Sequence, residues 1–198
     1  MGEKLEKKLG HLTLSFSDIK VQTILRDYLK SLPDVLAEKP ASSSGKHHNP
    51  KDNAIGGLVW HTRTISRVAA TLIEAMGGGP QYDHIRIAAI IHDLGKYGRD
   101  GTSSHTVFEH PILGGEMFRE FTSKKRLDTK TRGLFADVVR LVERHHGRYV
   151  SSKYSKTVLP KAERVDELLL HFADMVSAAP YADFLVDEHD CIPGEIPF

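Results

Sequence analysis

Cysteine is nearly absent from this chain of 198 residues: Cys191 is the only one. An internal disulfide and a thiolate metal cluster are thereby excluded. The scarcity fits a reducing compartment, so a cytoplasmic protein is expected. Long apolar runs are missing too, and no stretch is long enough to span a bilayer, so no membrane partner is expected. Met1 to Lys8 is charged and has no apolar core, which does not read as a secretory signal. Neither sign of charge is in excess. The formal net charge is +1, which leaves no global electrostatic case for nucleic acid or membrane, so any such signal must be local. There is no internal repeat and no convincing strand pattern. Apolar residues make up 40% and charged residues 27%, as in ordinary globular proteins, and the length suits one sizeable domain. The twelve histidines are the unusual count.

The hydrophobic spacing predicts an all-α fold. Residues 1–17 are expected to form a charged N-terminal arm, frayed over Gly2 to Gly10, residues 18–178 a helical domain, and residues 179–198 a tail with three prolines. Asp18 to Leu32 places Ile19, Val21, Ile24, Leu25, Tyr28 and Leu29 at helical spacing and is stopped by Pro33. Leu58, His61, Ile65, Val68, Leu72 and Met76 mark the clearest helix, ended by Gly77-Gly78-Gly79-Pro80. Further helices are predicted over Tyr82 to Leu94, His110 to Phe121, Thr131 to His146 and Ala162 to Ala178. Polar loops are expected at Pro40 to Asn53 and Lys96 to Glu109, and a basic, tyrosine-containing loop at Gly147 to Lys161.

The pair His92-Asp93 ends the apolar run Ala88-Ala89-Ile90-Ile91 and is followed by Leu94-Gly95-Lys96. An imidazole and a carboxylate at the end of a buried helix are costly unless something pairs with them, and a divalent cation is an economical partner. His61, His92 and His110 each lie on the core-facing stripe of their own helix. A single core histidine is ordinarily explained by a hydrogen bond to a carbonyl. Three on separate helices beside Asp93 would each need a partner, whereas one or two cations satisfy them together. Arg144-His145-His146 closes the next helix, and either imidazole can point inward. Asp174 places a carboxylate inside the apolar segment Ala173 to Val176; its structural alternative is an ion pair with a neighbouring helix.

The order His61, His92-Asp93, His110, His145 or His146, Asp174 resembles the HD-domain superfamily of metal-dependent phosphohydrolases. The motifs that carry the resemblance are Gly56-Gly57-Leu58-Val59-Trp60-His61-Thr62, Ile91-His92-Asp93-Leu94-Gly95-Lys96, His145-His146-Gly147 and Ala173-Asp174. They cover Asn53 to Ala178. The histidines between His92-Asp93 and Asp174 are similar to those of the two-metal branches. His47-His48 with Gly56-Gly57-Leu58, and Pro160-Lys161-Ala162-Glu163 after His145-His146-Gly147, are similar to the branch that includes 3′-to-5′ exoribonucleases. No N-terminal nucleic-acid-binding β-barrel is evident, which weakens polymeric RNA as the substrate. The Gly-Tyr-Pro segment of the cyclic-dinucleotide branch is missing.

The resemblance implies that Asp93 bridges two cations, with His61, His92 and Asp174 on one and His110 and His145 on the other. It implies a hydroxide held between them that attacks phosphorus in line. Asp93 and Lys96 are then the catalytic residues, with the Lys96 ammonium on a phosphate oxygen; the alternative for Lys96 is a solvated lysine complementing the helix end. In similar His-His-Gly segments the first histidine is the ligand and the second orients substrate, which gives His145 and His146 their roles. Nitrogen and oxygen ligands without sulfur suit manganese or iron first, with cobalt, nickel, zinc and magnesium allowed. His48, Lys96, His146, Arg148, Lys153 and Tyr154 are candidates to bind substrate, lysines serving phosphates and rings a base. A solvated basic loop is the commoner meaning of Arg148 to Lys161, and His47 and His48 are ordinarily solvated loop histidines.

The expected activity is cleavage of a phosphoester of a nucleotide or of a nucleic-acid 3′ end, on a nucleotide or short single-stranded substrate. Two alternatives stand beside it: an HD-like oxygenase with a di-iron site, and a non-catalytic nucleotide-sensing module. Oxygen consumption would mark the first, and tight binding without turnover the second.

Overall fold

The computed structural model describes residues 3–45 and 48–179. His47 and all but the first residue of the expected tail lie outside the described residues. The order is α1 (Glu3–Leu9), a 3-10 segment (Gly10–Ser15), α2 (Ile19–Ser31), a second 3-10 segment (Asp34–Glu38) and α3 (Gly57–Ala75). After a 3-10 turn (Pro80–Tyr82) come α4 (Asp83–Ile91), α5 (His110–Ser123), α6 (Thr129–Arg144) and α7 (Val165–Ser177). No strand occurs among the described residues, so the fold is all-α. No helix among them is long and apolar enough to cross a membrane.

The helix limits follow from local chemistry. Asp18 caps α2, its carboxylate accepting from the Lys20 amide at 2.9 Å and the Val21 amide at 3.4 Å. Asp128 caps α6 by accepting from the Thr131 amide at 2.8 Å, which starts that helix earlier than its apolar stripe does. At α7 the Glu167 carboxylate accepts from the amides of Glu163 at 2.8 Å and Arg164 at 3.0 Å. Those amides are satisfied outside the helix, so α7 begins at Val165 rather than at Ala162. Helix α4 stops at Ile91, and the chain continues through tight turns that carry His92, Asp93 and Lys96, with the Lys96 amide donating to the Asp93 carbonyl at 2.9 Å.

The N-terminal segment corrects the expectation of a frayed arm. Glu3–Leu9 is a helix whose Leu5 and Leu9 are fully buried, and Phe16 is buried with them. Helix α1 packs on α2 and α3. Its charges form the outer face: Arg26 of α2 donates to Glu6, and Lys4 pairs with Glu38.

One hydrophobic core runs through the bundle. Tyr28 of α2 meets Phe118 of α5 edge-on at 5.0 Å between ring centroids, and Phe118 meets Phe135 of α6 at 5.2 Å. Helices α5 and α6 pack together, α4 lies on α3 and α6, and α7 lies on α3 and α4. Arg140 of α6 clamps α7, with one guanidinium nitrogen 2.6 Å from Glu167 and the other 2.6 Å from Asp166. The buried ends of α3, α4, α5, α6 and α7 meet around Asp93.

Candidate metal centre

The His92–Lys96 turns sit deep in the bundle because two glycines let them. A Cβ on Gly95 would stand 2.9 Å from the Gly114 amide nitrogen of α5, so backbone touches backbone there. That contact brings Asp93 beside His110 at the first turn of α5.

The two oxygens of Asp93 face different groups. Oδ1 lies 3.1 Å from His110 Nε2 and 3.6 Å from His145 Nε2. Oδ2 lies 3.4 Å from His92 Nε2 and 3.8 Å from His61 Nε2. Asp174, reaching from α7, places Oδ1 2.9 Å from His61 Nε2 and 3.8 Å from His92 Nε2. His61, His92, Asp93 and His145 are at most 1% exposed, and His110 is 4% exposed. Lys96 is buried as well, and its ammonium pairs with Asp93 Oδ2 at 2.5 Å.

Main-chain carbonyls fix three of the imidazoles. Nδ1 of His92 lies 3.0 Å from the Ala89 carbonyl, Nδ1 of His110 2.7 Å from Val107, and Nδ1 of His145 2.7 Å from Val142. A carbonyl only accepts, so each Nδ1 carries the hydrogen, and in the neutral ring each Nε2 offers a lone pair to the centre. Burial pushes His110 down to about 4 against the pull of Asp93, so it is neutral near pH 7. His110 Nε2 and His145 Nε2 nevertheless face each other at 3.2 Å. Two ring nitrogens and an Asp93 oxygen converge there.

The buried polar atoms left without a hydrogen-bond partner include His92 Nε2 and Asp93 Oδ1. Unpaired acceptors of this kind are rare in native interiors. A divalent cation satisfies all of them at once, so the donor set fits metal ions. The groups close enough to share an ion are His61, His92 and Asp174, then His110, His145 and His146, and also His48, Asp52 and His61; Asp93 directs one oxygen at His61 and His92 and the other at His110 and His145.

The electrostatics agree. Burial opposes ionisation of Asp93, but the Lys96 ammonium holds it well below the usual carboxylate range. Asp174 is likewise held low against burial by its hydrogen bond to His61. Burial pulls His61 down, yet Asp174 and Asp52 overcome this and raise it to about 9, so an ion bound there would have to displace its proton.

His146 sits in the second group, its candidate ligand atom within 4.8 Å of those of His110 and His145. Its ring stacks edge-on to His110 at 4.8 Å, and its buried Nδ1 has no partner. Burial, then His145 and His110, push it down to about 2. His48 is also inside: its ring lies 4.7 Å from that of His61. Arg148, Lys153 and Tyr154 stand apart from this cluster. Arg148 lies over the Tyr149 ring at 5.1 Å, Lys153 over the Tyr154 ring at 4.9 Å, and Tyr154 is 85% exposed. Their loop is closed at its base by the Ala162 amide on the Gly147 carbonyl at 3.2 Å. It is pinned to the site's edge where Ser155 donates to Glu109, the residue before His110.

Two supporting residues escape the sequence pattern. Asp52 is fully buried and faces His61 Nδ1, although its segment is polar and irregular. His171 donates to the His145 carbonyl at 2.9 Å. The helical spacing of His171 within α7 was a usable signal; the spacing His48 to Asp52 was a faint one.

The HD domain family matches residues 59–179. That is more than half of the chain, and the chain belongs to this family. No curated protein and no solved structure matches it significantly.

Proposed function

We propose that this HD-family chain is a metal-dependent phosphohydrolase that cleaves a phosphoester of a nucleotide or of a nucleic-acid 3′ end. The observation that carries the reading is the divided environment of Asp93, one oxygen toward His110 and His145 and the other toward His61 and His92. His61, His92, Asp174 and Asp93 would hold one ion, and His110, His145 and Asp93 a second. Bound divalent ions supply Lewis acidity to phosphoryl oxygens and lower the pKa of water.

The rest of the chemistry belongs to the chain. The carbonyl-bound Nδ1 atoms keep three imidazoles from rotating, so the centre is preorganised. Lys96 brings a compact ammonium to the centre, where it serves a non-bridging phosphate oxygen. His146, neutral and with an unpaired Nδ1, would hydrogen-bond a substrate oxygen or hydroxyl. The exposed Arg148 and Lys153 would meet a nucleotide's phosphates, and the Tyr154 ring its base, outside the buried centre. Nitrogen-rich ligation favours manganese or iron over magnesium.

The test is a metal-supplemented screen of mononucleotides, generic phosphodiesters and short single-stranded RNA and DNA, run with Asp93→Ala in parallel. Metal-dependent release of phosphate or mononucleotide that disappears in the folded variant is the expected result. Equal turnover in Asp93→Ala, or oxygen uptake by iron-loaded protein without any phosphoester cleavage, would overturn the reading.

A further inference from the structure

We propose that Asp52 is a positioning residue of the metal centre, holding His61 so that its Nε2 aims at Asp93 and Asp174, with His48 holding Asp52 in turn. The inference rests on the metal-binding reading given above. Both residues lie outside the segment that matches the family, which starts at residue 59.

His61 differs from the other inward imidazoles. His92, His110 and His145 each secure Nδ1 on the carbonyl three residues back. For His61 that carbonyl belongs to Leu58, and it accepts the Thr62 hydroxyl at 2.8 Å instead. The Nδ1 of His61 turns to the Asp52 carboxylate, 3.3 Å away, with the Ser177 hydroxyl further off at 3.5 Å. A carboxylate on the outer nitrogen of a ligating imidazole fixes ring orientation and tautomer and raises ligand basicity.

The backbone sets the carboxylate in place. The Asp52 carbonyl accepts from the Ala41 amide at 2.7 Å, and the Asp52 amide donates to the buried Asn49 side chain at 3.0 Å. A Cβ on Gly57 would fall 1.9 Å from the Asp52 carbonyl oxygen, so the segment lies directly on the first turn of α3. One turn further along α3 is His61. The same Asp52 oxygen that faces His61 lies 3.1 Å from His48 Nδ1, so one carboxylate oxygen joins two imidazoles.

Oδ2 of Asp52 alone meets both imidazoles, and its Oδ1 is buried without a hydrogen-bond partner. The arrangement serves direction: it aims a ring.

Manganese is titrated into metal-stripped wild type, Asp52→Ala, Asp52→Asn and His48→Ala by calorimetry, with the melting temperature of each metal-free protein recorded alongside. Asp52→Ala should bind manganese about 10–100-fold more weakly while its metal-free melting temperature stays near that of wild type. Asp52→Asn keeps an acceptor oxygen for Nδ1–H and should recover most of the affinity. If Asp52→Ala does not fold, His48→Ala decides, with ~3–10-fold weaker binding expected and unchanged affinity overturning the proposal. Wild-type affinity in Asp52→Ala overturns it as well. So does a loss that tracks the metal-free melting temperature equally in the Ala and Asn variants, which assigns Asp52 to stability alone. Failure of wild type itself to bind manganese, iron, cobalt or zinc removes the metal reading and this inference with it.

Discussion

Gly95 and Gly114 touch backbone to backbone, and that contact sets the distance between the His92-Asp93 turn and the first turn of α5. A methyl group on Gly95 would meet the Gly114 nitrogen at 2.9 Å, its Cα at 3.1 Å and the His110 carbonyl at 3.2 Å. All three are main-chain atoms that cannot rotate away. Gly95→Ala should therefore push Asp93 away from His110 and cost about 1–3 kcal/mol of stability. Denaturant unfolding of the metal-free protein measures the cost, and manganese titration should show weaker binding in parallel. Unchanged values for both would mean that the turn and α5 are not in close contact.

Among the described residues Asp93 is the carboxylate with an oxygen toward each of the two histidine groups, so its loss should remove more than one interaction. Asp93→Ala should lower turnover by at least ~10²-fold and reduce the number of manganese ions retained after gel filtration. Lys96 is left buried and unpaired in that variant, so circular dichroism and melting should accompany the assay. A double variant, Asp93→Ala with Lys96→Met, removes the orphaned ammonium and should recover stability without recovering turnover.

The helices that carry the clustered histidines were legible in the sequence because each has a strong apolar stripe, and a histidine on such a stripe points inward. The pairing of His92 with Asp93 was legible because it ends an apolar run. Asp52 was not. It lies in an irregular segment where no periodicity indicates direction, and only tertiary packing against Gly57 buries it. The amino-terminal helix was missed for a related reason. Lys4, Glu6, Lys7 and Lys8 dominate its composition, while only Leu5 and Leu9, four residues apart, mark the buried face.

That face gives a stability prediction. Leu9 is fully buried among core residues, so Leu9→Ala removes apolar contacts and leaves a cavity. It should cost about 2–5 kcal/mol in chemical denaturation. Lys7→Ala, a change on the exposed side of the same helix, should fall within ~0.5 kcal/mol of wild type. Equal, small effects from both would show that residues 3–9 do not pack in solution.

Arg140, Asp166 and Glu167 tie α6 to α7, and Asp174 is carried on α7. Asp166 is held below the usual carboxylate range by Arg140 against the opposing effect of burial. Glu167 is likewise held low against burial, by the Glu163 and Arg164 amides and then by Arg140. Both carboxyls thus have folded-state values below their unfolded ones. Their contribution is complete above the ordinary carboxylate range and is lost as pH falls through the depressed values. Arg140→Ala should destabilise the protein at pH 7 by about 1.5–3 kcal/mol, with a smaller difference from wild type below pH 4. Melting curves from pH 3 to 8 test this, and a gap between the two proteins that widens on acidification would contradict the assignment.

Lys153 and Tyr154 sit at the exposed end of a loop whose next residue, Ser155, is bound to Glu109 beside His110. Their side chains are exposed while the histidine–carboxylate cluster is buried, so their interaction with a nucleotide should be the same in the ground state and the transition state. Interactions of that kind change KM and leave kcat alone. Lys153→Ala and Tyr154→Ala should each raise KM for a nucleotide substrate by about 3–30-fold at constant kcat, the size of a lost stacking contact or of an exposed charge pair. The lysine effect should shrink at high salt because an exposed charge is screened, whereas the tyrosine effect should not. A generic small phosphodiester without a base should be insensitive to Tyr154→Ala. A fall in kcat with KM unchanged for either variant would place these side chains at the reacting centre and contradict their exposed position.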